Sequence, residues 1–189
     1  MWHSVLFVIF VLLFNTANAN EYAAEVKQAE VSVRNGEYIL AAYLGYHLSP
    51  QANDALQNGV PLFWSIKIKL QQQHDFWLNK TLSKQTLRYR LQYHALLNMY
   101  RVRNENTGIM NSFSTLSAAL NAMATVRDLP LMATKDLLPN VHHLVAIKVL
   151  FEDDALPLPL QTQVIANPQW QLSSDWTQWN FPTQHFLNF

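Results

Sequence analysis

The stretch that decides the fold is Val60-Pro61-Leu62-Phe63-Trp64-Ser65-Ile66-Lys67-Ile68-Lys69-Leu70. Val60, Leu62, Trp64, Ile66, Ile68 and Leu70 alternate with Pro61, Phe63, Ser65, Lys67 and Lys69. Successive side chains of a strand point to opposite faces, so the even positions face a core and the two lysines face water. Leu87, Tyr89, Leu91 and Tyr93 against Arg88, Arg90 and Gln92 repeat the rhythm. The phase then changes, because Leu96, Tyr100 and Val102 fall on even numbers. A bulge or bend within residues 94–98 is expected to absorb the change.

Outward from there, residues 103–108 (RNENTG) read as a turn and residues 109–113 as the returning hairpin strand. Residues 29–33 and 38–47 flank Asn35-Gly36, which suits a two-residue turn with positive φ at both positions. Residues 141–151 carry apolar side chains on both faces, the pattern of an interior strand. Leu156-Pro157-Leu158-Pro159-Leu160 reads as an extended edge or crossover, since each proline removes a ladder donor. One helix is expected after Ser49-Pro50, an N-cap followed by proline at the first helical position, and Gly59 closes it. A second begins near Ser114 or Thr115. Leu116, Ala119, Leu120, Met123 and Val126 line one of its faces, and Arg127 and Pro130 mark its end. The sum is a mainly β chain of about seven strands, an antiparallel β-sandwich of immunoglobulin-like size with two short helices. The alternative is an α+β sheet covered on one face by the second helix.

The N-terminus assigns a compartment. Residues 5–14 (VLFVIFVLLF) are unbroken apolar sequence, and Ala17-Asn18-Ala19 is a small-x-small site. This is the anatomy of a cleaved secretory signal. The expected domains are therefore a signal peptide at 1–19, a single β-rich domain at 20–180 and a C-terminal tail at 181–189. The run of about ten residues is short of the roughly 20 that a spanning helix needs, so a periplasmic protein is expected rather than an N-terminal anchor in the inner membrane. The mature chain is not expected to span a membrane. The chain has no cysteine, so its core must hold the fold without disulfides. With 13 basic and 13 acidic residues there is no basic excess, which argues against nucleic acid. Four glycines are too few for a phosphate-cradling loop.

Motifs that carry chemistry are not found. His47, His74, His94, His142, His143 and His185 contain no chelating pair, and the neighbours His142 and His143 point to opposite faces of a strand. No metal and no cofactor is expected. There is no G-x-S-x-G elbow and no H-E-x-x-H. Glu152-Asp153-Asp154 reads as a solvated loop closing a strand, and no catalytic residue is assigned. The recognition candidates are Trp77, in an expected loop, and Trp170, Trp176 and Trp179, as an aromatic platform for a sugar or small molecule. Core packing is the competing reading, and Trp64 is a core residue by its phase. His94 is added because it lies where the phase changes. Arg88, Arg90, Arg101 and Arg103 read as a solvated strand face, with a basic stripe for an anionic partner as the alternative. Phe189 with Leu187 matches the aromatic end of outer-membrane barrels, but the two helices and the wet lysines argue against a barrel.

Four stretches in order carry a family resemblance. They are Leu48-Ser49-Pro50 with Ala55-Leu56 and Gly59-Val60-Pro61-Leu62; Leu91-Gln92-Tyr93-His94-Ala95-Leu96 with Tyr100-Arg101-Val102; Phe113-Ser114-Thr115-Leu116-Ser117-Ala118-Ala119-Leu120; and Trp170-Gln171-Leu172-Ser173-Ser174-Asp175-Trp176. Together the chain resembles the proteobacterial exported proteins of the domain-of-unknown-function 4390 family. The resemblance implies a Gram-negative periplasmic protein, often encoded near a nitrogen-regulation-type sensor kinase. It brings no activity and no catalytic residues, and it implies structural roles for Tyr93, His94 and Trp176. The tail after Trp179 and the uncharged residues before the apolar run depart from it. The expected function is a non-enzymatic module that binds an envelope protein. The alternative is a glycan or small-molecule binder using the surface tryptophans.

Overall fold

The structure is a computed structural model, and it describes residues 21–74, 78–138, 141–165 and 167–181. Twelve regular elements matter for the site. They are β1 (Glu25–Arg34), β2 (Glu37–Gly45), α1 (Pro50–Gln57), β3 (Leu62–Gln72), β4 (Lys80–His94), β5 (Met99–Asn104), β6 (Met110–Phe113), α2 (Leu116–Ala124), β7 (Thr125–Ala133), β8 (His143–Phe151), α3 (Leu158–Val164) and β9 (Thr177–Phe181). The strands form two antiparallel sheets, one of three strands in the order β1-β2-β7 and one of six in the order β6-β5-β4-β3-β8-β9.

The period-two stretch is the centre of the larger sheet. Leu62, Trp64, Ile66, Ile68 and Leu70 are all at most 2% exposed and face β2 across the core, where Tyr38, Leu40 and Leu44 are equally buried. Trp64 packs edge-on to Tyr46 at 5.6 Å and against Phe151 at 5.1 Å. Tyr38 meets Phe181 of β9 at 5.5 Å. Aromatic contacts thus tie the two layers together. The α2 helix buries Ala119 and Met123 against this core beside β2 and β5.

Local signals held where they rest on backbone sterics. Asn35 and Gly36 turn β1 into β2 with φ of 52° and 77°. Ser49 caps α1 by accepting the Ala52 N–H at 3.1 Å, and Gly59 follows its end with φ 85°. The expected bulge or bend near His94 is instead a hairpin turn: the phase changes because the strand ends and a new antiparallel strand begins. Residues Ala95–Leu97 form a 3-10 turn, Asn98 is left-handed, and β5 returns beside β4 with Tyr100 opposite Tyr93. At residues 104–109 the second hairpin carries a bulge. Asn104 C=O accepts from Gly108 N–H, and Asn104 N–H donates to Ile109.

Three expectations needed correction. The second helix ends at Ala124 and not at Arg127, because Thr125 opens β7, which contains Pro130. Pro130 is tolerated there because β7 is an edge strand whose outer side needs no donor. The Leu156-to-Leu160 stretch is not simply extended. Pro157 and Pro159 stand at the start of α3, where a helix leaves N–H groups unpaired anyway. The described elements therefore include nine strands and three α-helices, more than the sequence pattern displayed. Residues 1–19, with the expected signal peptide, and the tail beyond Phe181 lie outside the described residues, as does His185.

Candidate functional site

The register of the six-stranded sheet fixes what its outer face displays. Residues directly opposite on neighbouring strands share a face. β3 sends Lys67 and Lys69 outward, β4 sends Lys84, Arg88 and Arg90, β5 sends Arg101 and Arg103, and β8 sends Lys148. Eight of the chain's 13 lysines and arginines thus stand on one face of a chain whose formal net charge is zero. Three cross-strand pairs set like charges directly opposite: Lys67 with Lys148, Lys69 with Lys84, and Arg90 with Arg103. Such pairs destabilise a sheet, by roughly 0.2–1 kcal/mol each on the scale of cross-strand pairs, so fold stability alone does not select this face.

Two carboxylates of the chain itself sit in the basic field. Glu152, just past β8, receives Arg88 Nε at 2.8 and 3.1 Å on its two oxygens, and Nη2 at 2.6 Å. The Ser65 hydroxyl also donates to Glu152. The Arg88 guanidinium stacks 4.7 Å from the Phe63 ring. Burial pushes the Glu152 carboxyl up, but the Arg88 and Ser65 hydrogen bonds and the charge of Arg88 outweigh it and hold the group below its ordinary value. Glu105, from the β5–β6 turn, stands between the like-charged Arg90 and Arg103, 3.2 and 3.7 Å from their Nε atoms. The face therefore already engages carboxylates in two ways, one bidentate and one bridging. No carboxylate of the described residues bridges Lys67 and Lys148, or Lys69 and Lys84.

The sequence-based candidates separate in space. Trp170 is 6% exposed and stacks on Phe151 at 5.9 Å. Trp179 lies opposite Val145 on the inner face and packs against the core. Trp176 is 37% exposed on the basic side, its ring 4.1 Å from Lys69 Nζ. The three rings make no contact with one another among the described residues, since Trp176 and Trp179 are an odd number of positions apart on extended chain. Trp77 lies outside the described residues. His94 ends β4 opposite Met99, and its Nδ1 is buried without a hydrogen-bond partner among the described residues. His142 is exposed and His143 is 1% exposed, on opposite faces. No group of three or more metal-ligating side chains gathers among the described residues.

The four arginines were visible as a stripe, but Lys84 and Lys148 join it only through strand pairing. Glu152 reads in sequence as part of a solvated run; only Asp153 and Asp154 remain exposed, while Glu152 folds back onto the sheet. Its signal is that it follows the last apolar residue of an interior strand. A second feature is a cavity of about 810 Å³ with Trp170 in its wall and Glu21, Glu25, Asp153 and Asp175 around it. Glu25 there is held below its usual range by the His47 and Lys27 hydrogen bonds.

A family model described as "Domain of unknown function (DUF4390)" matches residues 21–180. The chain belongs to this family. No curated protein and no solved structure matches it. The DUF4390 match covers both sheets and all the helices described above, ending one residue before the end of β9. No described helix of this DUF4390 chain is long and apolar enough to cross a membrane.

Proposed function

We propose that this DUF4390 chain is a non-enzymatic binding module of the periplasm that docks an acidic segment of an envelope protein on the outer face of its six-stranded sheet. The observation that carries the reading is the set of like-charge pairs across β3, β4, β5 and β8. Glu105 offsets the Arg90–Arg103 pair and the charge of Glu152 reaches Lys67, but Lys148, Lys69 and Lys84 form no ion pair among the described residues. A partner's carboxylates between the lysine pairs lower their cost. Glu105 between Arg90 and Arg103 is the arrangement such a partner reproduces at Lys67 and Lys148. A carboxylate partner fits better than a phosphate polymer. The face is interleaved with Phe63 and Trp176, and the overall charge is balanced, which denies it the long-range field of a nucleic-acid binder. The apolar run before Ala19 supports export. The gene neighbourhood that the family resemblance implies makes the outer part of a membrane sensor a partner worth testing first.

Calorimetric titration with polyglutamate, polyphosphate and anionic vesicles tests the proposal. Polyglutamate is expected to bind, and Lys67→Glu with Lys148→Glu is expected to weaken it at least tenfold, about 1.4 kcal/mol. Equal binding by the variant, or preference for polyphosphate or vesicles, overturns it.

The cavity beside Trp170 favours a second reading, a small-molecule or glycan site. Tryptophan emission unmoved by a glycan and metabolite panel removes that reading.

A further inference from the structure

The proposed docking face ends at β6, and that edge differs from the β1 and β7 edges. β9 (TQWNF) also lacks charge and proline, but it packs beside β1 of the other sheet and lies at the far end from the arginines of β5. β1 is protected by charges, with Glu25, Lys27, Glu30 and Arg34 along it. β7 carries Arg127, Asp128 and Pro130. Charges and proline are the usual means of keeping an edge from pairing with another chain. β6 (Met-Asn-Ser-Phe) has neither, and Ile109 before it is 61% exposed and Met110 52%.

The backbone of β6 can be assigned residue by residue. Asn104 N–H donates to Ile109 C=O at 2.9 Å, so 104 and 109 form a hydrogen-bonded pair. Such pairs alternate with non-bonded ones along an antiparallel ladder. Asn111 and Phe113, opposite Val102 and Tyr100, therefore turn their backbone groups toward β5. Met110 and Ser112, opposite Arg103 and Arg101, turn theirs away from the sheet. Neither residue makes a backbone hydrogen bond outside the sheet among the described residues. Their side chains point to the basic face.

We infer that β6 receives the partner's segment as a seventh strand, an extended acidic peptide paired through the backbone of Met110 and Ser112. The inference rests on the docking face proposed above and specifies its geometry. An added strand runs two strand spacings from β5, roughly 9–10 Å. That separation is within the joint reach of a glutamate on the added strand and Arg101 or Arg103 on β5. Arg101 Nε is buried without a partner among the described residues, so a carboxylate arriving over Ser112 gives it an acceptor. Backbone pairing supplies the affinity and alternate acidic side chains supply the selectivity.

The probe is a capped peptide of alternating glutamate and valine, about eight residues long, compared with its fully backbone N-methylated twin of equal charge. Calorimetry on the purified full chain is expected to show binding of the first and at least a tenfold loss for the second. Ser112→Pro removes only an outward N–H and is expected to give the same loss with an unchanged circular dichroism spectrum. Should Ser112→Pro unfold the chain, the N-methylated peptide alone decides. Equal binding of both peptides overturns strand addition while leaving the docking face in place. Binding of neither overturns both. A dimer in sedimentation that Ser112→Pro abolishes assigns the edge to a second copy and overturns the inference.

Discussion

Arg88 of β4 reaches across β3 to grip Glu152 beyond the end of β8, with Nη2 2.6 Å from the carboxylate. Ser65, directly beneath, is 5% exposed and donates to the same group. Three neighbouring strands are thereby clamped on the outer face, although their inner faces are already joined by apolar packing. Glu152→Gln is expected to lower stability by about 1 kcal/mol, a modest cost because Arg88 keeps access to solvent. The carboxyl is depressed in the folded chain, so its contribution is complete above the ordinary value of 4.5 and is lost as pH falls through the folded value. Urea unfolding at neutral and acid pH checks both, and the variant is expected to lose less stability than the parent on acidification.

Lys148→Glu places a carboxylate opposite Lys67. It is expected to raise the unfolding free energy by roughly 0.5 kcal/mol while weakening polyglutamate binding. A variant both less stable and unchanged in binding contradicts the account of this face.

His143 is buried beside Phe181, and burial holds it below its ordinary value of 6.5. The unfolded chain takes up a proton that the folded chain refuses, so stability is complete above about 6.5 and declines as pH falls toward the folded value. His143→Phe is expected to flatten that decline, measured as the slope of unfolding free energy against pH.

Trp170 and Trp176 are expected to behave differently on truncation. Trp170→Ala opens a hole against Phe151 and is expected to cost about 3–5 kcal/mol. Trp176→Ala removes a half-exposed ring over Lys69 and is expected to cost less than about 1 kcal/mol. Denaturant midpoints for the two variants provide the comparison.

Much of the architecture is legible in the chain because it rests on short-range rules. The alternation around Trp64, the Asn35-Gly36 turn and the Ser49 cap each specify backbone shape within a few residues. What escapes is what depends on the opposing chain. β7 was hidden by Pro130, which is permissible only because that strand became an edge. The helix at 158–164 was hidden by prolines whose effect depends on where the helix starts. The arginine stripe and the wet lysines of β3 show in the sequence, but their union with Lys84 and Lys148 into one face escapes for the same reason. Lys67 and Lys148 are far apart in sequence and meet only through the β3–β8 register, and Glu152 gains its partner only once β4 is in place. The tryptophans were visible as residues but not as surroundings, since strand geometry sends Trp176 and Trp179 to opposite sides.

The crowded cations on the large sheet have one more outcome. Dissolved electrolyte shortens the reach of every charge, to about 8 Å at physiological ionic strength. For the free chain this quiets mutual repulsion and firms the fold. For the complex it thins the attraction that brings the acidic strand in. Salt should therefore push melting and affinity in opposite directions.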